Sequence, residues 1–376
     1  MQYKLFGKTN EEVSRLGFGC MRFQTKNGYS RKIDEEIALK QVRYAIDNGV
    51  NYIDTAYNYH GGESEKLVAK VLKDGYREKV KLATKLPSWL IKSREDMDKY
   101  LNEQLEKLET DHIDFYLLHT LNKKFWNTLK ENDVLDFLES IVKDGRVKHV
   151  GFSFHDELSL FKEIVDSYDW DFCQIQYNYL DENYQAGTEG LKYAKAKGMG
   201  VVIMEPLRGG NLSKKVPDDI KAIWDKADIK RSPAEWALKF IFNHPEVDVV
   251  LSGMNEMEHI EENIRIASET TPNSLTDKEI QLINNVKEEY KNKIKVGCTK
   301  CAYCMPCPKG VDIPACFSLY NESSMFDFDM AKLEYSKFVK KENKASACIE
   351  CGQCEEKCPQ HLNIREKLKE VEELFE

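Results

Sequence analysis

The stretch Cys298-Thr-Lys-Cys-Ala-Tyr-Cys-Met-Pro-Cys-Pro308 decides the fold of the last part of the chain. Fifty residues later comes a second copy, Cys348-Ile-Glu-Cys-Gly-Gln-Cys-Glu-Glu-Lys-Cys-Pro359. Each copy holds four cysteines, ends in Cys-Pro and is followed by a similar phrase, at 309–313 and 360–364. An internal repeat of this kind indicates a small pseudo-symmetric module.

Three thiolates at two-residue spacing fit one compact loop and can bind three corners of a 4Fe–4S cluster. The cysteine before proline points away from its loop, and in bacterial two-cluster ferredoxins it ligates the other cluster. The second run has that spacing, whereas the first is one residue short before its last cysteine, so its loop must differ. We therefore predict two 4Fe–4S clusters, one bound by Cys298, Cys301, Cys304 and Cys358 and the other by Cys348, Cys351, Cys354 and Cys307.

Other uses of these cysteines are less well matched. Zinc sites pair Cys-x2-Cys units across a spacer, and disulfides are disfavoured because the N-terminus does not resemble a secretory signal. Cys20, Cys173 and Cys316 lie outside both runs and are expected to be packing residues.

The composition bounds the class of protein. The chain has 376 residues, 41% of them hydrophobic, and a formal net charge of −9. This length allows one large α/β barrel and a small module. The negative charge argues against a nucleic-acid surface, and no apolar run reaches membrane-spanning length. We expect a cytoplasmic protein without nucleic-acid or membrane partners.

Apolar segments of strand length alternate with helical segments from the N-terminus. Strands are predicted at 15–20, 50–55, 80–84, 113–118, 147–153, 172–175, 200–204 and 247–251. Helices are predicted at 34–48, 64–73, 93–108, 134–142, 157–166, 189–197, 232–243 and 256–267. Eight strand–helix units make a (β/α)8 TIM barrel the economical α/β fold. The doubly wound alternative would show a G-x-G-x-x-G turn, which does not follow Gly17-Phe-Gly19.

The predicted organisation has three parts. The barrel takes residues 1–272, and a linker helix lies within 273–296, with helical pattern over 275–291. Residues 297–376 form a small, mainly helical ferredoxin-like domain with the two clusters.

Four polar residues stand at the ends of successive predicted strands. Asp54 and Tyr59 follow the second strand, Lys85 the third and His119 the fourth. Catalytic residues of such barrels lie at these strand ends. A phenol beside an ammonium is a stronger acid, a carboxylate can anchor the ammonium, and a histidine can donate to an oxyanion. The set could protonate a carbonyl oxygen as hydride reaches its carbon.

The motifs around these residues resemble those of the aldo-keto reductases. They include 51–59, with Asn-Tyr-Ile-Asp-Thr-Ala-Tyr-Asn-Tyr, and 81–85, with Lys-Leu-Ala-Thr-Lys. They also include 113–119, with Ile-Asp-Phe-Tyr-Leu-Leu-His, and the phrases at 16–22, 151–153 and 174–178. The cysteine module is similar to the ferredoxin-like tail of a bacterial branch of that family.

The resemblance implies an NAD(P)H-dependent reductase of a small carbonyl substrate. Tyr59 would be the general acid, Lys85 and Asp54 would tune it, and His119 would orient the substrate. The resemblance places the nucleotide against Gly19, Met21, Ser153, Gln176, Met204, Pro206, Leu207, Gly253, Met254, Glu262 and Asn263.

This sequence departs from the family at the 2′-phosphate of NADP. Gly253, Met254 and His259 stand where lysine, serine and arginine are usual, and Arg265 is the nearest arginine. Fixed cations recognise that phosphate, so NAD and NADP both stay open.

Three hypotheses of function remain. The barrel reduces carbonyls and the clusters carry electrons to a one-electron partner; the clusters are structural; or the protein is a non-catalytic docking scaffold. A hydride carries two electrons, whereas a cluster accepts one at a time. Coupling hydride transfer to the clusters would need a cofactor such as a flavin, which accepts two electrons and releases them singly. Four aromatic residues could either line an apolar substrate pocket at the barrel mouth or simply pack the loops there: Tyr57, Trp89, Trp126 and Phe154.

Overall fold

The computed structural model describes residues 1–26, 32–214, 216–326 and 328–376. The chain divides into two units. The first combines Met1–Gly209 with Ala234–Leu275, and the second combines Gly210–Pro233 with Thr276–Glu376. No sequence pattern predicts that Gly210–Pro233 belongs with the C-terminal residues.

The first unit contains a closed barrel. In chain order the strands are β1 Tyr3–Leu5, β2 Glu12–Ser14, β3 Leu16–Gly19, β4 Tyr52–Asp54, β5 Lys81–Leu86, β6 Ile113–Leu121, β7 Val147–Phe154, β8 Phe172–Gln176, β9 Gly200–Met204 and β10 Val249–Ser252. Strands β3 to β10 pair in parallel with their neighbours, and β10 closes the barrel onto β3. The predicted TIM barrel is confirmed.

Helices follow the barrel strands and continue into the second unit. They are α1 Glu35–Asp47, α2 Glu63–Val71, α3 Arg94–Leu108, α4 Lys123–Glu131, α5 Val134–Lys143, α6 Leu158–Asp166, α7 Gly187–Ala196, α8 Asp218–Trp224, α9 Pro233–Phe242, α10 Met257–Glu269, α11 Asp277–Asn292, α12 Ile313–Met325, α13 Phe328–Phe338, α14 Gln353–Glu356 and α15 Ile364–Phe375. Asp34 caps α1, as predicted, by accepting the Ile37 N–H at 3.5 Å. The sequence reading missed α4 and α8.

An N-terminal hairpin of β1 and β2 precedes the barrel strands and was not predicted. Phe6 follows β1, is fully buried and packs edge-on against Phe115 with ring centroids 4.9 Å apart. A Cβ at Gly200 would lie 2.6 Å from the Phe6 ring, so β9 has no room for a side chain there. Phe6 therefore contributes to the buried residues of the barrel interior.

The second unit is helical. Helix α11 lies beside α8, linked by ion pairs of Arg231 with Glu279 and of Lys293 with Asp219. The core of this unit lies between α12, α13 and α15, where the rings of Tyr335 and Phe375 stack 4.8 Å apart. In the described part of the chain no helix is both long enough and apolar enough to span a bilayer.

Candidate active site and cluster ligands

Side-chain alternation brings the predicted residues into the barrel interior. Successive residues of a strand point to opposite faces. Tyr52, Ala83 and Leu117 belong to the buried cluster inside the barrel. Their second neighbours along β4, β5 and β6 are Asp54, Lys85 and His119. The same step leads from Val202 to Met204 and from Leu251 to Gly253, so these residues share the interior face near the strand ends.

Lys85 is held by an unusually complete set of acceptors. Its Nζ donates to both carboxylate oxygens of Asp54 and to the carbonyl oxygen of Thr55, each at 2.7 Å. Lys85 is fully buried and Asp54 is 2% exposed. Burial lowers the pKa of Lys85, but the charge of Asp54 and the phenol of Tyr59 outweigh it, and the net shift is upward. Lys85 is therefore a fixed ammonium at neutral pH.

Tyr59 lies in the loop that follows β4, at the start of a short turn over Tyr59–Gly62. The Lys85 Nζ lies 5.1 Å from the centroid of its ring. Burial raises the pKa of Tyr59 above its ordinary value, while the charge of Lys85 opposes this. The sequence predicts that the ammonium makes this phenol a stronger acid, but in the structure desolvation is the larger effect.

His119 faces Tyr59 across the site, with ring centroids 6.1 Å apart and the rings edge to face. Trp89 lies on its other side at 5.3 Å. Burial, followed by the charges of Lys85 and His155, holds the pKa of His119 well below its ordinary value. The imidazole is therefore neutral, and its buried Nδ1 has no hydrogen-bond partner among the described residues.

A buried polar network supports Lys85 from the opposite face of β5. Thr84 Oγ1 and Gln104 Nε2 both donate to Glu65 Oε1, at 2.7 and 2.6 Å. Gln104 Nε2 also donates to the carbonyl oxygen of Lys85 at 3.0 Å. Glu65 and Gln104 are fully buried, and the sequence reading did not identify either.

The residues expected at the nicotinamide lie further around the barrel. Ser153 Oγ accepts the Thr120 N–H at 2.7 Å, and Gln176 donates to Asp181 at 3.0 Å. Gln174 Nε2 approaches Met204 Sδ at 3.5 Å, and its buried Oε1 has no partner in the described chain. We had not proposed Gln174 as a site residue, although it stands two residues before Gln176 and so faces the same side.

The residues expected at the phosphates and adenine lie after β3, β9 and β10. Met21 is exposed and Met254 is buried, while Asn263 donates to Ser252 Oγ at 3.0 Å. Gly19, Pro206, Leu207, Gly253 and Glu262 complete this set in the same loops and in α10. A Cβ at Gly253 would meet the Arg22 side chain at 3.1 Å, so Arg22 lies over this strand end.

Arg265, the arginine nearest to the expected 2′-phosphate position, is ion-paired with two glutamates. Its two terminal nitrogens contact Glu235 at 2.6 Å and Glu269 at 3.2 Å. An arginine with two carboxylate partners is poorly available to a 2′-phosphate.

Two of the aromatic candidates for a substrate pocket are core residues instead. Trp126 and Phe154 are fully buried, in contact with Trp170 and Phe161 respectively. Tyr57 donates to Glu103 at 3.0 Å. Only Trp89 of these candidates lies against the predicted catalytic residues.

The two cysteine loops repeat their backbone geometry. Cys298 Sγ accepts the Lys300 N–H at 3.4 Å, and Cys348 Sγ accepts the Glu350 N–H at the same distance. Lys300 and Glu350 have φ of 58° and 56°, which turns each amide toward its thiol. Such amides favour a thiolate cluster, whose sulfurs accept hydrogen bonds.

The repeat continues past each Cys-Pro. Gly310 and His361 have φ of 80° and 51°, and donate to the carbonyl oxygens of Cys307 and Cys358 at 2.9 and 3.1 Å. Helices α12 and α15 then begin at equivalent positions. The loops differ before the last cysteine, where only the second run has a helical turn, α14.

A pocket open to solvent is lined by the first cysteine loop and by residues around Cys358. Its lining includes Cys298, Cys301, Cys304 and Cys358, and its walls are apolar side chains such as Ile313 and Phe317. These four cysteines are the set expected to share a cluster. Among the described residues no group of three His, Cys, Asp or Glu side chains is placed to hold a single metal ion. A cubane takes one thiolate at each of its irons, so four cysteines suffice for one cluster.

Comparisons with known proteins cover both units. Residues 15–288 match the aldo/keto reductase family, and residues 297–362 match a 4Fe-4S dicluster domain. The chain belongs to the aldo/keto reductase family. It is an oxidoreductase of that family with a C-terminal dicluster domain, as the sequence predicted. Neither match is to a flavin-binding domain.

Individual relatives agree with the family assignment. L-galactose dehydrogenase of Arabidopsis thaliana is 24% identical over 317 residues, which cover 78% of this chain and 96% of that protein. The uncharacterized oxidoreductase YrpG of Bacillus subtilis is 30% identical, covering 57% of this chain and 69% of its own length. The solved structure of aldo-keto reductase AKR11C1 from Bacillus halodurans has 27% identity and a TM-score of 0.63, covering 76% of this chain and 96% of that one.

Proposed function

We propose that this protein is an NAD(P)H-dependent carbonyl reductase with Tyr59 as its general acid, and that its C-terminal clusters transfer single electrons. The observation that carries the proposal is the buried Lys85 ammonium, fixed by Asp54 and adjacent to the Tyr59 ring. This arrangement supports proton donation by a phenol at the end of a barrel strand.

The chemistry divides between the cofactors and the chain. When bound, the nicotinamide supplies a hydride and the clusters supply one-electron carriers. Tyr59 gives its hydroxyl proton to the carbonyl oxygen as negative charge develops there. The phenolate left behind is stabilised by the Lys85 charge, and Asp54 keeps that ammonium in place.

His119 is suited to orient the substrate. Its low pKa keeps the ring neutral, so it does not compete with Tyr59 as the acid. In the tautomer with the proton on Nδ1, the unpartnered nitrogen can donate one hydrogen bond to the substrate oxygen. Ser153 and the free Oε1 of Gln174 are polar groups that fit a carboxamide on the same barrel face.

The cluster ligands proposed are Cys298, Cys301, Cys304 and Cys358 for one cluster, and Cys348, Cys351, Cys354 and Cys307 for the other. The amide-to-thiol contacts in both loops and the cavity around the first set support this assignment.

The proposal is tested with Tyr59→Phe. Positioned acid catalysis contributes about 10²–10⁴-fold, so carbonyl turnover should fall by that factor. Nucleotide affinity, measured by fluorescence titration, should be unchanged because the ring remains. Tyr57→Phe is the matched control: its hydroxyl contacts Glu103, and carbonyl turnover should remain at the wild-type rate.

A second variant separates the two parts of the proposal. After reduction with dithionite and removal of excess reductant, Cys354→Ser should pass fewer electrons to a one-electron dye than the wild type does, whereas carbonyl reduction and nucleotide affinity should be intact. If Tyr59→Phe leaves carbonyl turnover unchanged, the acid is not Tyr59. If Cys354→Ser leaves dye reduction unchanged, the clusters do not carry the electrons.

A further inference from the structure

Four exposed lysines and one exposed phenylalanine lie in the second unit. They are Lys309, Lys337, Lys340, Lys341 and Phe338, which we call the lysine surface. Phe338 is 77% exposed, the largest exposure of any large apolar side chain in the described residues. None of these four lysines forms an ion pair with a described carboxylate.

Other lysines of the same unit form ion pairs with nearby glutamates. Lys367 pairs with Glu370, and Lys369 pairs with Glu350, each at 2.7 Å. The segment 332–344 contains five lysines and two glutamates, Glu334 and Glu342, while the whole chain has a net charge of −9. The lysine surface is therefore a positive region on a negative protein.

The backbone just after Lys341 is hydrogen-bonded to the turn that follows Cys307, a predicted cluster ligand. Asn343 donates through Nδ2 to the carbonyl oxygen of Gly310, while the Asp312 N–H donates back to Asn343 O at 2.9 Å. Gly310 in turn donates to the carbonyl oxygen of Cys307 at 2.9 Å. Lys309 stands in that same turn.

The other end of the segment leads to the second cysteine run. A short helical turn over Ala345–Ala347 connects it to Cys348, whose N–H donates to Ala345 O at 3.0 Å. Cys307 and Cys348 are assigned to the same cluster. The four lysines and Phe338 therefore flank the two ends of one ligand set.

We propose that the lysine surface is the docking site of an acidic one-electron carrier protein. This inference rests on the proposed electron transfer by the clusters. Unpaired lysines attract an acidic partner over distance and raise its association rate, and Phe338 offers an apolar anchor at the centre of contact. Docking here brings the partner beside a cluster ligand.

An acidic protein fits better than the other polyanions. Nucleic acid and anionic bilayers extend well beyond four lysines and would meet the negative remainder of the chain. A small acidic protein can contact the lysine surface alone.

Binding of purified oxidised flavodoxin, a small acidic protein, to the protein loaded with both clusters tests the proposal. Calorimetry should give an affinity that falls steeply as salt is raised. The variant Lys309→Glu, Lys337→Glu, Lys340→Glu, Lys341→Glu should bind about tenfold or more weakly at low salt and lose the salt dependence. Phe338→Ala should weaken binding and keep the salt dependence.

The matched control carries the same charge change on the barrel unit. It replaces with glutamate four exposed lysines without described ion pairs, Lys40, Lys99, Lys143 and Lys192. Its affinity for flavodoxin should stay close to that of the wild type. Equal losses in both variants would mean that net charge alone governs binding, and the docking site would be refuted.

A second readout follows the electrons. The protein is reduced with dithionite and freed of excess reductant, and each electron that leaves it reduces one flavin, which takes up one proton from water. The variant of the lysine surface should reduce flavodoxin more slowly and a neutral one-electron dye at the wild-type rate.

The outcomes separate the two proposals. If the reduced wild type fails to reduce the dye, cluster electron transfer is wrong, whereas docking is still decided by the affinities. Unchanged flavodoxin affinity in the variant refutes the docking site. So does a result in which these lysines control binding to phosphatidylglycerol vesicles or to poly(U) RNA instead of flavodoxin.

Discussion

Replacing Lys85 with methionine should separate the structural and catalytic contributions of the buried ion pair. The ammonium makes three hydrogen bonds of 2.7 Å, and Asp54 loses its cation when Lys85 is removed. An unpaired buried charge costs about 3–5 kcal/mol, so the free energy of unfolding of Lys85→Met should fall by that amount. Carbonyl turnover should fall by about 10²–10⁴-fold, because burial then raises the pKa of Tyr59 without opposition.

The double variant Lys85→Met, Asp54→Asn is the control for folding. It removes the stranded carboxylate, so much of the lost stability should return, while turnover stays as low as in the single variant. Chemical denaturation followed by tryptophan fluorescence measures the free energy of unfolding. Steady-state kinetics with saturating nucleotide measures carbonyl turnover.

The contribution of Lys85 to the free energy of unfolding should depend on pH in a definite direction. The pKa of Lys85 is raised in the folded protein, so its stabilising contribution is complete below the ordinary lysine pKa and is lost as the pH rises through the folded value. The Lys85 ammonium itself should therefore contribute equally at all pH values below the ordinary lysine pKa. Burial already raises the pKa of Asp54 and Lys85 opposes this, so in Lys85→Met the stranded carboxyl should take up a proton as the pH falls, and the stability difference from wild type should shrink toward acid pH. Turnover of Lys85→Met within tenfold of wild type, or recovery of turnover in the double variant, would refute this account of Tyr59.

The remaining predictions concern residues outside this ion pair. NADH should bind at least as tightly as NADPH in fluorescence titrations, because Arg265 is held by two carboxylates and is not available to the 2′-phosphate. One charged phosphate contact is worth about 1.5–3 kcal/mol. A hundredfold preference for NADPH would contradict this prediction. Cys358→Ser should lose about four irons per chain in iron analysis. Cys316→Ala, a buried cysteine outside both runs, should keep its full iron content. Asp248 is buried and salt-bridged to Lys4 and Lys195, so Asp248→Ala should lower the free energy of unfolding by about 3–5 kcal/mol, whereas Ala at the exposed Asp169 should not. Arg365→Ala should make the reduction potential of one cluster more negative in a redox titration monitored by electron paramagnetic resonance, and leave the other unchanged.

The sequence predicted the barrel because its signals are local and repeated. Polar residues stand near the ends of three successive strands, and parallel strands bring those ends to one side, so Asp54, Lys85 and His119 could be grouped without coordinates. The cysteine spacing defined the second unit in the same way. Gln174 and Gln176 are two residues apart on β8, so their side chains face the same side of the barrel. Side-chain alternation along this strand could therefore have predicted Gln174 as a site residue.

Other features depend on packing between distant residues, which periodicity does not encode. Phe6 packs against Phe115 and the backbone of Gly200, and nothing in the local pattern of β1 specifies those partners. Trp126 and Phe154 look like loop aromatics in sequence but are fully buried. The net pKa of Tyr59 depends on how far burial exceeds the charge of Lys85, a balance that residue types alone do not give.

The two cysteine loops show how sequence symmetry can conceal an electrostatic difference. Alignment of the repeats pairs Pro314 with Arg365 and Gln360 with Lys309. Arg365 lies 3.7 Å from the position of a Cβ on Gly352 and pairs with Glu355 at 2.8 Å, so it lies against the second loop. Removing it would take away a cation and leave Glu355 unpaired, and both changes disfavour an added electron. The loops therefore share their backbone geometry but differ in the charge beside them. In the ligand assignment that we propose, the cluster beside Arg365 is also the one flanked by the lysine surface.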